Sequence, residues 1–136
     1  MAGIIDNVGF TAEVTEQRNY SVSELILFER ALTNIGDHYN AGQSVFICPV
    51  GGIYVIYVNI QATTDGPSMV VDIIVNDIRY TTASADDVAS AFNTGSNMVV
   101  VTCLAGQQVW VESNQNSERI HTAASTFSGF LLSRIS

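Results

Sequence analysis

Two polar stretches of this chain gather the side chains from which sugar-binding sites are made. Residues 77–82 include Arg79 and Tyr80, and residues 114–122 include Asn114, Asn116, Glu118, Arg119 and His121. A sugar is held by fixed planar donors and acceptors and by an aromatic face that packs against its C–H groups. An arginine in such a place also pairs with the carboxylate of an acidic sugar. The same residues equally make an ordinary solvated loop, and composition does not separate the two readings. Catalytic chemistry is poorly served. There is no Gly-x-Ser-x-Gly, no phosphate-binding glycine loop and no His-Glu-x-x-His, and lysine is absent altogether. Neither histidine, His38 or His121, forms a recognisable nucleophile–base pattern with a nearby serine or cysteine. The chain is read as not an enzyme.

The frame that must position these residues is one domain. At 136 residues and 14.6 kDa there is no room for a second core. Apolar residues at 47% against 13% charged exclude intrinsic disorder. The longest apolar run is six residues, 53–58, far short of the span a membrane helix needs, so membrane insertion is excluded. Thirteen carboxylates face five arginines, giving a net charge of −8. Such a surface repels nucleic-acid phosphates and anionic lipids. Cys48 and Cys103 lie in apolar stretches with no zinc-ligand spacing, which leaves one disulfide or two buried thiols. The start, Met-Ala-Gly-Ile-Ile-Asp, lacks the charged and apolar regions of a signal peptide. It reads as a mature domain behind an added Met, or as a protein not exported by that route.

Short runs of β-branched and aromatic residues are broken every 8 to 12 residues by turn chemistry. Strands are expected at 8–14, 22–28, 45–48, 53–62, 69–75, 78–81, 98–104, 109–113 and 126–132. Residues 34–43 read as turn-rich, 65–68 as a turn, and 82–93 as loop or a helical turn. Asn76-Asp77 suits a two-residue hairpin. The pattern predicts an antiparallel sandwich or barrel. Residues 53–58 and 99–101 are apolar at consecutive positions, so both faces of those strands are expected to be covered, one of them by something outside the domain, such as another subunit.

Phe28, Asn34, Tyr39, Phe46, Gly52 and Tyr54 stand at spacings that resemble the globular head of complement C1q, in the C1q and tumour-necrosis-factor superfamily. Leu104-Ala105-Gly106-Gln107-Gln108-Val109-Trp110-Val111 is similar to a second block of that family. Ser125-Thr126-Phe127-Ser128-Gly129-Phe130-Leu131-Leu132 resembles its closing strand, and Gly9-Phe10-Thr11-Ala12 its start. The likeness covers residues 8–134, which divides the chain into a 1–7 extension and an 8–136 domain. It departs at Ile56 and Val58, where further aromatics are usual, at Gln107 in place of aspartate, and in having no Gly-X-Y stalk before the domain. The chain thus resembles head-only invertebrate members, or a head separated from its stalk.

The resemblance implies a ten-stranded jelly roll, a compact homotrimer, and a secreted recognition protein of innate immunity. It makes His38 a packed turn residue. It also raises calcium, since some such heads bind it, and Asp86-Asp87 is the chain's sole adjacent acidic pair. Ala91, Phe92 and Asn93 stand where calcium-binding members carry an acidic residue, and a solvated acidic loop is the competing account. No other cofactor is implied. Several mollusc relatives are lectins for sialylated or acetylated sugars, so the leading reading is a multivalent lectin. Its ligand residues would be Arg79, Tyr80, Asn114, Asn116, Arg119 and His121. The alternatives are a cytokine-like or adaptor ligand that binds a protein receptor between subunits, and a purely structural trimerisation module. Asn19-Tyr20-Ser21 is a glycosylation sequon.

Overall fold

The structure, a computed structural model, describes residues 7–62, 68–85, 93–114, 118–119 and 124–135. Its strands in chain order are β1 (Gly9–Glu13), β2 (Asn19–Tyr20), β3 (Arg30–Ile35), β4 (Tyr39–Asn40), β5 (Val45–Ile47) and β6 (Gly52–Ala62). They continue as β7 (Met69–Val75), β8 (Ile78–Ala85), β9 (Asn93–Cys103), β10 (Gln108–Ser113), β11 (Glu118–Arg119) and β12 (Thr126–Arg134). Two five-stranded antiparallel sheets face each other, ordered β3-β1-β12-β6-β9 and β4-β5-β10-β7-β8, with a two-stranded ribbon of β11 and β2 beside them. The expected ten-stranded jelly-roll sandwich is present. No described helix is long and apolar enough to cross a membrane.

The core explains the spaced aromatics. β6 alternates without a fault, burying Tyr54, Ile56, Val58 and Ile60 and turning the intervening residues outward. Phe10 stacks between Tyr39 and Phe46 with ring centroids 4.7 Å away in each case, and meets Phe127 edge-on at 4.9 Å. Phe28 packs against Phe127 as well, with ring centroids 5.5 Å apart. The buried Tyr39 hydroxyl donates to the Phe28 carbonyl at 2.6 Å. Asn34 closes the β3–β4 turn: its Oδ1 accepts from the Tyr39 N–H at 3.1 Å, and its Nδ2 donates to the Tyr39 carbonyl at 2.9 Å. His38 packs within that turn, its ring occupying the space beside Gly36.

Several expectations change. Residues 22–28 do not form a strand. Ser23 takes a φ of +65° that interrupts extension, and one bridge, Leu25 to Glu112, remains. The segment still docks on β10: Ser23 and Ile26 N–H groups donate to Ser113 and Val111 carbonyls, while Ile26 and Phe28 fill the core. Residues 34–43 contain the end of β3 and all of β4 as well as turns. The Asn76-Asp77 hairpin is as expected, with both residues left-handed at φ 50° and 66°.

β8 and β9 run further than expected, into the stretch read as loop or helical turn. Tertiary contact accounts for it. Asn97 Nδ2 donates to Thr81 Oγ1 at 2.7 Å and to the Thr82 carbonyl at 3.0 Å, tying the edge of one sheet to the edge of the other. A Cβ on Gly95 would lie 2.0 Å from the Ser84 carbonyl oxygen, so only glycine permits this approach. Residues 65–67, and 86–92 with Asp86 and Asp87, lie outside the described residues.

Candidate functional site

The two sheets present opposite surfaces. On the first, an apolar row crosses all five strands in register: Ile35, Gly9, Phe130, Val55 and Val100. Ile35, Phe130 and Val100 are 50%, 47% and 55% exposed. The adjoining row ends in Tyr57 and Met98, both also exposed. Exposed apolar residues set contiguously on one sheet mark an association surface. Within a single chain the outward side of these strands is thus incompletely covered: Tyr57 and Val100 are exposed, and Ile53 and Val55 are half-buried.

The second sheet is mixed outside, with exposed Ile47 and Ile78 among polar side chains. Alternation along β10 turns Gln108, Trp110 and Glu112 outward, and register places Trp110 beside Ile74 and Ile74 beside Arg79. Trp110 Nε1 donates to Glu112 Oε2 at 2.8 Å, which fixes the indole. Beside it opens a cleft of about 290 Å³ lined by Asn76, Asp77, Gly106, Gln108 and Trp110. Two turns build it. The Asn76 N–H donates to the Gln108 carbonyl at 2.9 Å, joining the β7–β8 hairpin to β10. Gly106, at φ 87°, turns β9 into β10, and nothing lies within 4 Å of where its Cβ would stand. A larger recess of about 520 Å³ lies beside the β3–β4 turn, against Asn34, Asp37, His38 and Ile47. Its Asn34 amide is already consumed by the turn.

Arg79 and Tyr80 are exposed at the start of β8. Asn114 is at the far end of the sheet, its N–H on the Val70 carbonyl. Val70 is four residues along β7 from the Ile74 that flanks Arg79, about 13 Å at strand rise. The structure thus separates the two polar stretches. Asn114 serves the fold itself. Its Nδ2 donates to Asp72 Oδ2 at 2.8 Å, while Thr82 Oγ1 donates to Asp72 Oδ1 at 2.7 Å. That clamp satisfies a carboxylate only 7% exposed. Arg119 pairs through its backbone with Asn19 in the ribbon. Asn116 and His121 lie outside the described residues. Trp110, Gln108 and Asn76 were missed as candidates, although alternation along 108–112 already set Gln108, Trp110 and Glu112 on one face.

Among the described residues no group of three or more His, Cys, Asp or Glu could hold a metal ion. Cys48 and Cys103 are free, buried thiols. The Cys48 thiol hydrogen-bonds to Cys103, and this bond together with burial holds it far above the usual thiol range.

Together these features define a jelly-roll domain of the C1q and tumour-necrosis-factor type, a class that is generally not enzymatic. The chain belongs to the C1q domain family, which matches residues 9–132. It is 32% identical over 120 residues to Caprin-2 of Danio rerio, covering 82% of this chain and 12% of that one. It is 28% identical over 110 residues to a complement C1q subcomponent polypeptide of Rattus norvegicus, covering 79% and 43%. The chain therefore spans less than half the length of these relatives. The globular domain of a zebrafish complement 1qA protein superposes with a TM-score of 0.79 at 18% identity, covering 94% of this chain and 99% of that one. An Eiger tumour-necrosis-factor structure from S. frugiperda gives 0.78 at 10% identity, covering 97% and 96%.

Proposed function

We propose that this chain is a secreted pattern-recognition protein of innate immunity. It acts as a homotrimer that binds glycans, acetylated or sialylated sugars among them, on microbial or cell surfaces. The observation that carries the reading is the division between its two faces. The in-register apolar row through Phe130, Val55 and Val100 suits burial against further copies of the chain. The second sheet, with Arg79, Tyr80 and the Trp110 cleft, then stays open on every protomer. A lone sugar site is commonly near-millimolar, about −4 kcal/mol. Three on one rigid assembly gain roughly 10² to 10⁴ in avidity on a patterned surface. Weak contacts multiplied by symmetry would discriminate sugar arrays without any single tight site.

The test joins light scattering to a glycan array, with and without EDTA. A species near three times 14.6 kDa that binds a coherent set of sugars supports the reading. Phe130→Glu is expected to give the single-chain mass and to lose array binding. Loss in EDTA would revive calcium, with Asp86 and Asp87 as the first residues to substitute. A trimer that ignores every glycan refutes the lectin reading, and a sugar-insensitive nanomolar protein partner would put the cytokine-like alternative in its place.

A further inference from the structure

We infer that the Trp110 cleft is the sugar site and takes a single uncharged pyranose ring, N-acetylated ones included, rather than a sialic acid. The inference rests on the glycan-binding reading and narrows it. At about 290 Å³ the cleft is at the lower limit of small-molecule pockets, room for one ring. Its lining brings together side chains such a ring uses: Trp110 for the C–H groups, the Asn76 and Gln108 amides, and the Asp77 carboxylate for hydroxyls. The indole is held by Glu112, and the hairpin turn is held to β10, so little order is lost on binding. The larger recess beside Asn34 lacks this combination, because Tyr39 is buried in the aromatic stack.

Charge sets the selectivity. Asp77 is the one charged group among the described lining residues. A sugar carboxylate would meet the like charge of Asp77 on the wall of the cleft. Arg79, across Ile74, is two strand spacings from Trp110, about 10 Å, and does not line the cleft.

Asp77 stands at the second position of the β7–β8 turn at φ 66°, a left-handed conformation that aspartate tolerates, and lines the cleft there.

The chain has one tryptophan, so its emission reports on this cleft alone. The experiment titrates the trimer with N-acetylglucosamine, mannose and N-acetylneuraminic acid, following tryptophan fluorescence. Expected is a saturable change at millimolar concentration of an uncharged sugar and none with N-acetylneuraminic acid. Asp77→Gly is expected to weaken that response at least tenfold while its melting temperature stays level or rises. A merely structural aspartate would not separate affinity from stability in that direction. Gly106→Asn, which keeps a residue tolerant of the turn but fills the open space, is expected to block the sugar. Glycan binding on the array with silent tryptophan emission overturns the inference and leaves the lectin reading standing. Binding lost in Arg79→Ala but kept in Asp77→Gly does the same, and an equal response to N-acetylneuraminic acid overturns the charge argument. A trimer that binds no glycan overturns both.

Discussion

Gly129→Ala tests how tightly the two sheets are fitted. Gly129 turns inward from β12, and a Cβ there would stand 2.8 Å from both Ile56 Cδ1 and Phe10 Cε1. Phe10 cannot yield, since it is pinned between Tyr39 and Phe46 and braced by Phe127. Ile56 can yield only at its terminal methyl. Alanine in a strand gains about 0.5–1 kcal/mol over glycine from backbone entropy. Overpacking of this kind costs about 1–3 kcal/mol, so the clash decides the sign. The net loss is expected to be about 0.5–2 kcal/mol. At about 3–5 °C per kcal/mol for a chain of this size, the melting temperature drops about 2–10 °C. Ile56→Val alone removes the contacted methyl and costs about 0.5–1.5 kcal/mol. Combined, the two changes are expected to be less harmful than their sum, because the valine vacates half of the collision. The assay is thermal and urea unfolding of wild type, both single variants and the double, at one fixed chain concentration to hold any oligomer equilibrium constant. A neutral Gly129→Ala, or additivity within about 0.3–0.5 kcal/mol, would refute the packing argument.

Asn114→Ala strips one partner from the buried Asp72 carboxylate and is expected to cost about 1–3 kcal/mol by urea midpoint, with sugar response at Trp110 retained. Loss of that response at full stability would contradict the structural role given to Asn114. Burial raises the hydroxyls of Tyr20, Tyr39 and Tyr54, the last to about 12. Raised pKa values stabilise the fold fully below the unfolded value near 10 and lose that contribution as pH climbs through the folded values. Tyrosinate absorbance is therefore expected to develop in two stages, the second coincident with unfolding; a single transition near pH 10 in the folded protein would count against it. Cys48 and Cys103 are expected to resist a thiol reagent until denaturant is added, when both react without reductant. Rapid labelling of the native protein, or no labelling of the denatured one, would be incompatible with two buried free thiols.

The sequence was most informative where local chemistry and tertiary packing agree. Asn76-Asp77 makes its turn from its own backbone preference, and the spaced aromatics mark the core because the residues of one face recur at every second position of a strand. It was least informative where neighbours overrule propensity. Residues 22–28 carry a strand-like pattern, but a left-handed Ser23 turns them into a docked segment. The small polar residues at the end of β8 and the start of β9 have weak strand preference and are extended because Asn97 and Gly95 hold the sheets together. The Trp110 cleft was illegible for a related reason. Its walls are two turns some thirty residues apart in sequence, brought together by the β7–β10 pairing and the Asn76–Gln108 bond that extends it.

The stitching of β8 to β9 also governs what this domain does not do. Each five-stranded sheet has two rims of unpaired backbone, and such rims invite addition of strands from other molecules. Along the β8–β9 side, Asn97 and the bare backbone at Gly95 turn the two rims toward each other, so neither is offered to a stranger. On the opposite side β4 is only two residues long, and β3 shifts register against β1. A chain rich in β-branched residues thereby keeps its exposed apolar sheet face as the surface left for association. Assembly can then close on itself instead of growing along the hydrogen-bond direction.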